Sequence, residues 1–301
     1  MNEFNDTNRV IGMAADPVST VAEGALAAAL ERDAAMFVSR AKGNGPEQHR
    51  PLRLVIADFE FAYDRIRYAG YASSEGSDAR YDIRWPFHRV ACGSWMILRL
   101  DAGSEAPMVE EFTCIANDQA DELEIATRLF GTLERYADAP LVTWGGEGKD
   151  LAVLRRVASE AGMLLPPQIA DPHPHTRLRL DLCKAVSGGA RFPHLPEYAA
   201  GSGIPAKPTP AKEVGPLVEI GDWGKVRDQC LADVLAASVI GLRHLVSHGV
   251  IACDLPKSFA ALADAAGRAE PASPFIRNSF APWACQMLAA GRLRGVVYRA
   301  A

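Results

Sequence analysis

The chain has 301 residues, 49% hydrophobic and 23% charged, with a formal net charge of −5. That composition suits one sizeable globular domain with appendages, and it argues against a passive nucleic-acid-coating protein, which is usually basic. Six cysteines (Cys92, Cys114, Cys183, Cys230, Cys253 and Cys285) show no CxxC spacing and read as reduced thiols, not as a zinc site or disulfide frame. No apolar run approaches the ~20 residues of a membrane span, and no basic-then-apolar leader opens the chain, so no membrane partner and a cytoplasmic address are expected.

In chain order, residues 1–20 form a polar arm, and the Ala-rich stretch 21–42 is compatible with a helix. GNGPEQHRP (43–51) ends any helix. LRLVIADFEF (52–61) has the short, branched, apolar pattern of a buried central strand. Residues 71–82 read as a polar loop. Residues 89–100 and 108–116 read as two further strands joined by the turn-rich DAGSEAP, completing a three-strand meander. A helix is predicted over 116–137, with Asn117 and Asp118 as capping candidates and Leu123, Ala126, Phe130 and Leu133 on one face.

A short strand follows at 140–144, then a helix at 147–163 that turns Leu151, Leu154 and Val157 to one side. Another short strand is predicted at 178–182 and a loop at 201–220. A long helix covers 221–249, ending at Gly249, and two more lie near 255–267 and 279–291. Strands first, then helices interleaved with short strands, predict an α/β fold: a mixed sheet flanked by helices, with extra helices at both termini. The expected organisation is an arm and helix over 1–50, the main domain over 51–250, and a helical extension over 251–301 packed on the same domain.

Asp58 and Glu60 are two apart on the first strand, so the period-two pleat sets both on one face. Two buried carboxylates are costly unless cations neutralise them, and hard oxygen donors suit Mg²⁺ or Mn²⁺. A strand end meeting solvent or a salt bridge explains the same pair. In LVTWGGEGKDLAVL (141–154) a strand enters a double-glycine turn and Asp150 opens the next helix, where it serves equally well as a cap or dipole partner. Asp233 sits mid-helix among Val226, Cys230, Val234 and Ala237, either facing inward or on a solvated face.

These three pieces together resemble the DEDD superfamily of 3′–5′ exonucleases, and within it the bacterial predicted exonucleases related to the proofreading domain of family B polymerases. FHRVACGSW (87–95), LRLDL (178–182) and LPEYAAGSGIPAK (195–207) are similar to further segments of that family, so the resemblance runs over roughly residues 52–250. It implies an RNase H-like fold, an antiparallel meander continued by parallel strands. It also implies Asp58, Glu60, Asp150 and Asp233 as ligands of two Mg²⁺ or Mn²⁺ ions, and hydrolysis of single-stranded nucleic acid, DNA before RNA, from its 3′ end. In such a site one ion lowers the pKa of the attacking water and the other steadies the leaving oxygen. Phe61, Trp144, Gly145 and Gly146 are the implied substrate neighbours.

Gln229 stands where that family carries Tyr or His, one turn before the last Asp. An amide holds a water but takes no proton near neutral pH. Three readings follow: metal-bound hydroxide suffices, His173, His175 or His194 reaches in as a base, or the fold binds nucleic acid or a protein without cleaving. Lys149 replaces an aromatic and Gly145 an Asn, changes that bear on substrate contacts.

His173 and His175 have HxH spacing in a proline-flanked loop, and His244 and His248 sit at i,i+4 without the Glu of a metalloprotease helix. GGEG (145–148) lacks the GK[ST] ending of a phosphate loop. Arg89, Arg155, Arg156, Arg177, Arg179, Arg191, Lys207 and Lys212 are candidates for contacts to a phosphate backbone. Trp85, Phe87, Trp95 and Trp144 suit either core packing or base stacking.

Overall fold

The computed structural model describes residues 51–79, 81–170 and 177–297. The expected N-terminal arm and helix, and the loop carrying His173 and His175, lie outside them.

The fold is an RNase H-like mixed α/β sheet of five strands flanked by helices. The strands are β1 (Leu52–Tyr63), β2 (His88–Leu100), β3 (Met108–Ala116), β4 (Leu141–Thr143) and β5 (Arg179–Asp181), in the spatial order β3-β2-β1-β4-β5. β1–β2 and β2–β3 pair antiparallel, while β1–β4 and β4–β5 pair parallel. β1 is therefore the central strand, as its apolar run predicts.

Alternation along β1 sorts its side chains onto two faces. Val55, Ala57 and Phe59 pack with Ile125, Leu129 and Leu133 of the helix Glu122–Arg135 and with Leu151, Leu154 and Val157 of the helix Asp150–Ala161. Leu54 and Ile56 face the other way, onto the long helix Trp223–Ser247. Asp58 and Glu60 continue that second row. In β2 the pairing shifts between Glu60 and Phe61, which leaves Ala91 as the extra residue of a bulge. The bulge swaps faces: Cys92 packs against Val226 and Cys230 of the long helix, whereas Val90 joins the opposite core.

The long helix is apolar on almost every side because it is buried on almost every side. By length and composition it is apolar enough to cross a membrane, which the sequence reading missed, but 78% of its most apolar window is packed inside the protein. The helices Leu255–Ala269 and Ala281–Val297 add Phe259, Leu262, Phe280 and Ala284 to the same core.

Several boundaries differ from those predicted. The segment expected as a loop over 71–82 is helical through Glu75, in the helix Arg65–Glu75. That helix buries no side chain, so it leaves no apolar periodicity to read. The next helix starts at Glu122 and not near 116. Asp121 caps it through Glu124 N–H, while Asn117 donates its amide to the Ala120 carbonyl in the preceding turn. Leu123 is 44% exposed, whereas Ala126, Phe130 and Leu133 are core as predicted, joined by Ile125 and Leu129. Within 201–220 the chain forms the short helix Val214–Glu219.

Candidate active site

Three segments deliver the four predicted acids. Asp58 and Glu60 come from the middle of β1, opposite Ser94 and Cys92 of β2. Asp233 comes from the long helix, which is anchored to β1 where the Cys230 thiol donates to the Asp58 carbonyl oxygen at 3.2 Å. Asp150 opens its helix just after the double-glycine turn. Gly145 is left-handed at φ 67°, and a Cβ on Gly146 would lie 2.6 Å from Thr143 Oγ1, so only glycine fits there.

Asp181 fastens that turn. Its Oδ1 accepts from Gly145 N–H at 2.8 Å and from Cys183 N–H at 3.1 Å. Arg179 reinforces it from the neighbouring strand, bonding Glu147 at 2.6 Å and the Gln168 carbonyl at 2.8 Å.

One oxygen each from Asp58, Glu60 and Asp233 lies within 4.8 Å of the others. Asp150 is outside that group, yet close enough that its charge helps to hold the Asp58 carboxyl up. All four are held above the ordinary carboxylate range, chiefly by burial. Glu60 is pushed up to about 7 and Asp150 to about 6, with Lys149 and Lys207 opposing both. Asp58 rises further, through burial and then the charges of Asp233, Asp150 and Glu60. Asp233 rises through burial, against the pull of Lys207. A buried cluster of hard oxygen donors that resists ionising unless a cation is supplied fits a divalent ion such as Mg²⁺ or Mn²⁺.

Two lysines already stand beside these acids. Lys207 Nζ donates to Asp233 Oδ2 at 2.6 Å and to Glu60 Oε1 at 3.2 Å, with its side chain only 8% exposed. Burial alone would lower its pKa, but Asp233, Glu60 and Asp58 outweigh that and raise it. Lys149 is exposed, its ammonium 4.5 Å from the centre of the Phe61 ring. In the sequence Lys207 stands out only as the end of the GIPAK segment and as one of many basic residues. Asp181 is visible there only inside LRLDL. Neither residue's role can be read without knowing which loops the fold brings together.

Gln229 is fully buried one turn before Asp233, and neither of its amide atoms has a hydrogen-bond partner among the described residues. Its neighbour Asp228 faces elsewhere, accepting from Ser273 Oγ and Phe275 N–H. His194 is exposed ahead of the helix Leu195–Gly201, where its N–H donates to Glu197. The His244 and His248 rings lie tilted with centroids 4.0 Å apart near the far end of the long helix.

Among the predicted substrate neighbours, Phe61 is buried against His88, and Trp144 packs on Tyr198 while donating its N–H to the Pro193 carbonyl. Trp95 is core. Phe87 packs with Tyr68 and Tyr71 beside exposed Trp85. Arg89 and Arg156 are engaged with Asp64, Glu122 and Glu160.

The central strand of the mixed sheet thus presents paired acids toward a third acid on a packed helix. Residues 82–271, well over half of the chain, match the family described as predicted 3′–5′ exonucleases related to the exonuclease domain of PolB, and the chain belongs to that family. The match begins after β1, so Asp58 and Glu60 precede it.

Among solved structures, the family B DNA polymerase from the hyperthermophilic archaeon Pyrobaculum calidifontis is similar at 12% identity and a TM-score of 0.47. That similarity covers 80% of this chain and 29% of the polymerase. E. coli exonuclease I in complex with a dT13 oligonucleotide is similar at 13% identity and a TM-score of 0.35, over 65% of this chain and 41% of the exonuclease. The chain thus spans well under half the length of either. No curated protein matches it.

Proposed function

We propose that this chain hydrolyses phosphodiester bonds at the 3′ ends of single-stranded nucleic acid, DNA in preference to RNA, with Mg²⁺ or Mn²⁺ bound by Asp58, Glu60 and Asp233 and with Asp150 at the edge of the centre. The observation that carries this is the convergence, within 4.8 Å, of carboxylates from two distant elements: half-buried Asp58 with buried Glu60 and Asp233. The preference for DNA rests on the family's relation to a polymerase proofreading domain.

Asp58, Glu60 and Asp233 would hold the divalent ion, which would supply activation of water near neutral pH and charge for the departing oxygen. The chain's own groups do the rest. The three acids would orient the ion, and the Gln229 amide, one turn before Asp233, would hold a water by hydrogen bonds without taking its proton. Lys149, exposed over Phe61, meets the phosphate that leads into the site. Asp181 fixes the turn that presents Asp150.

The test is release of mononucleotides from a single-stranded oligonucleotide labelled at its 3′ end, with Mn²⁺ and with EDTA. Release that needs the metal and falls at least ~100-fold in Asp58→Asn is expected, since a ligand change costs at least as much as the ~10–100-fold typical of residues that only support ligands. Binding without release under Mn²⁺ overturns cleavage and leaves a nucleic-acid-binding module.

A further inference from the structure

We propose that the surface cavity between the helix Arg65–Glu75 and residues 82–87 is a nucleobase pocket, selective for guanine, that holds one base of the single strand a short way upstream of its 3′ end. This rests on the single-strand function proposed above and deepens it.

The helix Arg65–Glu75 buries no side chain, so the hydrophobic core does not account for it. Its N-terminus is capped by Asp64, which accepts from Arg67 N–H, and its inner side carries two rings. Tyr68 and Tyr71 lie 5.5 and 5.4 Å from Phe87, centroid to centroid, and the Tyr68 hydroxyl donates to the Tyr81 carbonyl at 3.3 Å. These three rings, with Trp85, wall a cavity of about 410 Å³, within the size range of small-ligand sites. Trp85 is 38% exposed and, among the described residues, stacks on no other ring. A base entering the cavity supplies the flat partner that this indole lacks.

Asp82 and Arg84 line the same cavity, two residues apart. Neither side chain makes a hydrogen bond or ion pair with another described residue. A carboxylate only accepts and a guanidinium only donates. Guanine is the base that offers two adjacent donors on one edge, N1–H and the N2 amine, and two adjacent acceptors on another, O6 and N7. The donors suit Asp82, and O6 with N7 is the usual bidentate partner of arginine. A protein partner fits this lining less well, because charged residues are depleted at the core of protein interfaces.

The cavity also lies at the right end of the sheet. The chain leaves β1 at Tyr63, three residues or about 10 Å beyond Glu60, and turns directly into the helix. Asp64 N–H donates to the Phe87 carbonyl at 2.8 Å, so the cavity wall is bonded to the end of the strand that carries the first two acids. His88, beside Phe87, packs on the Phe61 ring under Lys149. A strand held at the acids by its last phosphodiester has the cavity within a few nucleotides.

Fluorescence anisotropy of the full chain with 5′-labelled strands tests this, in Ca²⁺ and again in EDTA so that nothing is cut. The probes are oligo-dT and the same strand with a single dG placed at each position in turn from the 3′ end. Wild type is expected to bind at least about fivefold more tightly when the dG stands at one particular position, the low end of the discrimination that a bidentate base contact supplies. Asp82→Ala should lose that gain while still binding oligo-dT. Trp85→Ala should lose it and weaken binding of every strand by about fivefold or more. No favoured position in wild type, or a gain that survives both substitutions, overturns the pocket and leaves metal-dependent cleavage standing. A favoured position without mononucleotide release under Mn²⁺ supports the pocket and overturns cleavage. Wild type that binds no strand in either condition overturns the pocket and the single-strand function together. Both substituted side chains are exposed, and wild-type melting temperatures should confirm that the variants fold. Should Trp85→Ala fail to fold, Asp82→Ala decides.

Discussion

The Cys230 thiol donates to the backbone carbonyl of Asp58 at 3.2 Å, fastening the helix that carries Asp233 to the strand that carries the first two acids. Burial holds that thiol well above its usual range, so it remains a protonated donor and a poor nucleophile. Native protein treated with iodoacetamide should therefore be modified at exposed Cys285 and spared at Cys230, as read by peptide mass spectrometry. Cys230→Leu, which forces extra methylenes between helix and strand, should cost about 1–3 kcal/mol and weaken Mn²⁺ binding as well. Full stability with normal metal affinity would show that this contact sets nothing.

Gly146→Ala is the second prediction. A methyl group there meets Thr143 Oγ1 at 2.6 Å and Thr143 Cβ at 2.8 Å, both held by β4. The turn must shift, and Asp150 shifts with it. The expected result is a loss of about 1–3 kcal/mol and a fall in nuclease rate. The control is Gly148→Ala, where nothing lies within 4 Å of the added carbon and both losses should be small.

The third prediction concerns pH in the absence of metal. Burial holds Glu60 at about 7 against an ordinary 4.5, and Asp150 at about 6 against 3.8. Between those limits the folded chain keeps protons that the unfolded chain has released. The stability from this source is complete below the ordinary values and is lost as pH rises through the folded ones. Melting temperature in EDTA should accordingly fall from about pH 5 to about pH 8. Added Mn²⁺ should restore more stability at the upper end, because its ligands must first lose their protons. A flat EDTA profile would mean that the lysines already keep these acids ionised.

Gln229 yields the fourth. Its amide is fully buried without a partner among the described residues, a state that costs about 1–3 kcal/mol. Gln229→Leu removes that cost at similar volume, so the variant should melt no lower than wild type. If the amide positions water for the reaction, the rate should nonetheless fall by at least about tenfold, within the range of a lost proton-handling or positioning group. An unchanged rate would remove Gln229 from the site.

How much of this is legible in the sequence follows from what each residue answers to. The three long strands and the face shared by Asp58 and Glu60 are local properties of a period-two pattern, and they read directly. Asp233 is only suggestive, because a mid-helix acid among small apolar residues reads equally as inward-facing or solvated until the packing of its helix is known. The helix Arg65–Glu75 is hidden because it buries nothing and leaves no stripe. Ala126, Phe130 and Leu133 read correctly as core, while Leu123 misleads because it lies in the first turn of its helix, before the buried face begins at Ile125. Lys207 and Asp181 depend on where loops far apart in the chain come to rest, and no local pattern encodes that.

The hydrogen bond from Trp283 to the Gly203 carbonyl gives the last helix a structural task beyond filling the core. That helix works as a strut under the lysine-bearing loop. Clipping or loosening the C-terminal helices would let the loop drift and withdraw a positive charge from between two carboxylates. Damage near residue 283 would then register first as altered metal binding at the opposite end of that chain of contacts, before any general loss of the fold.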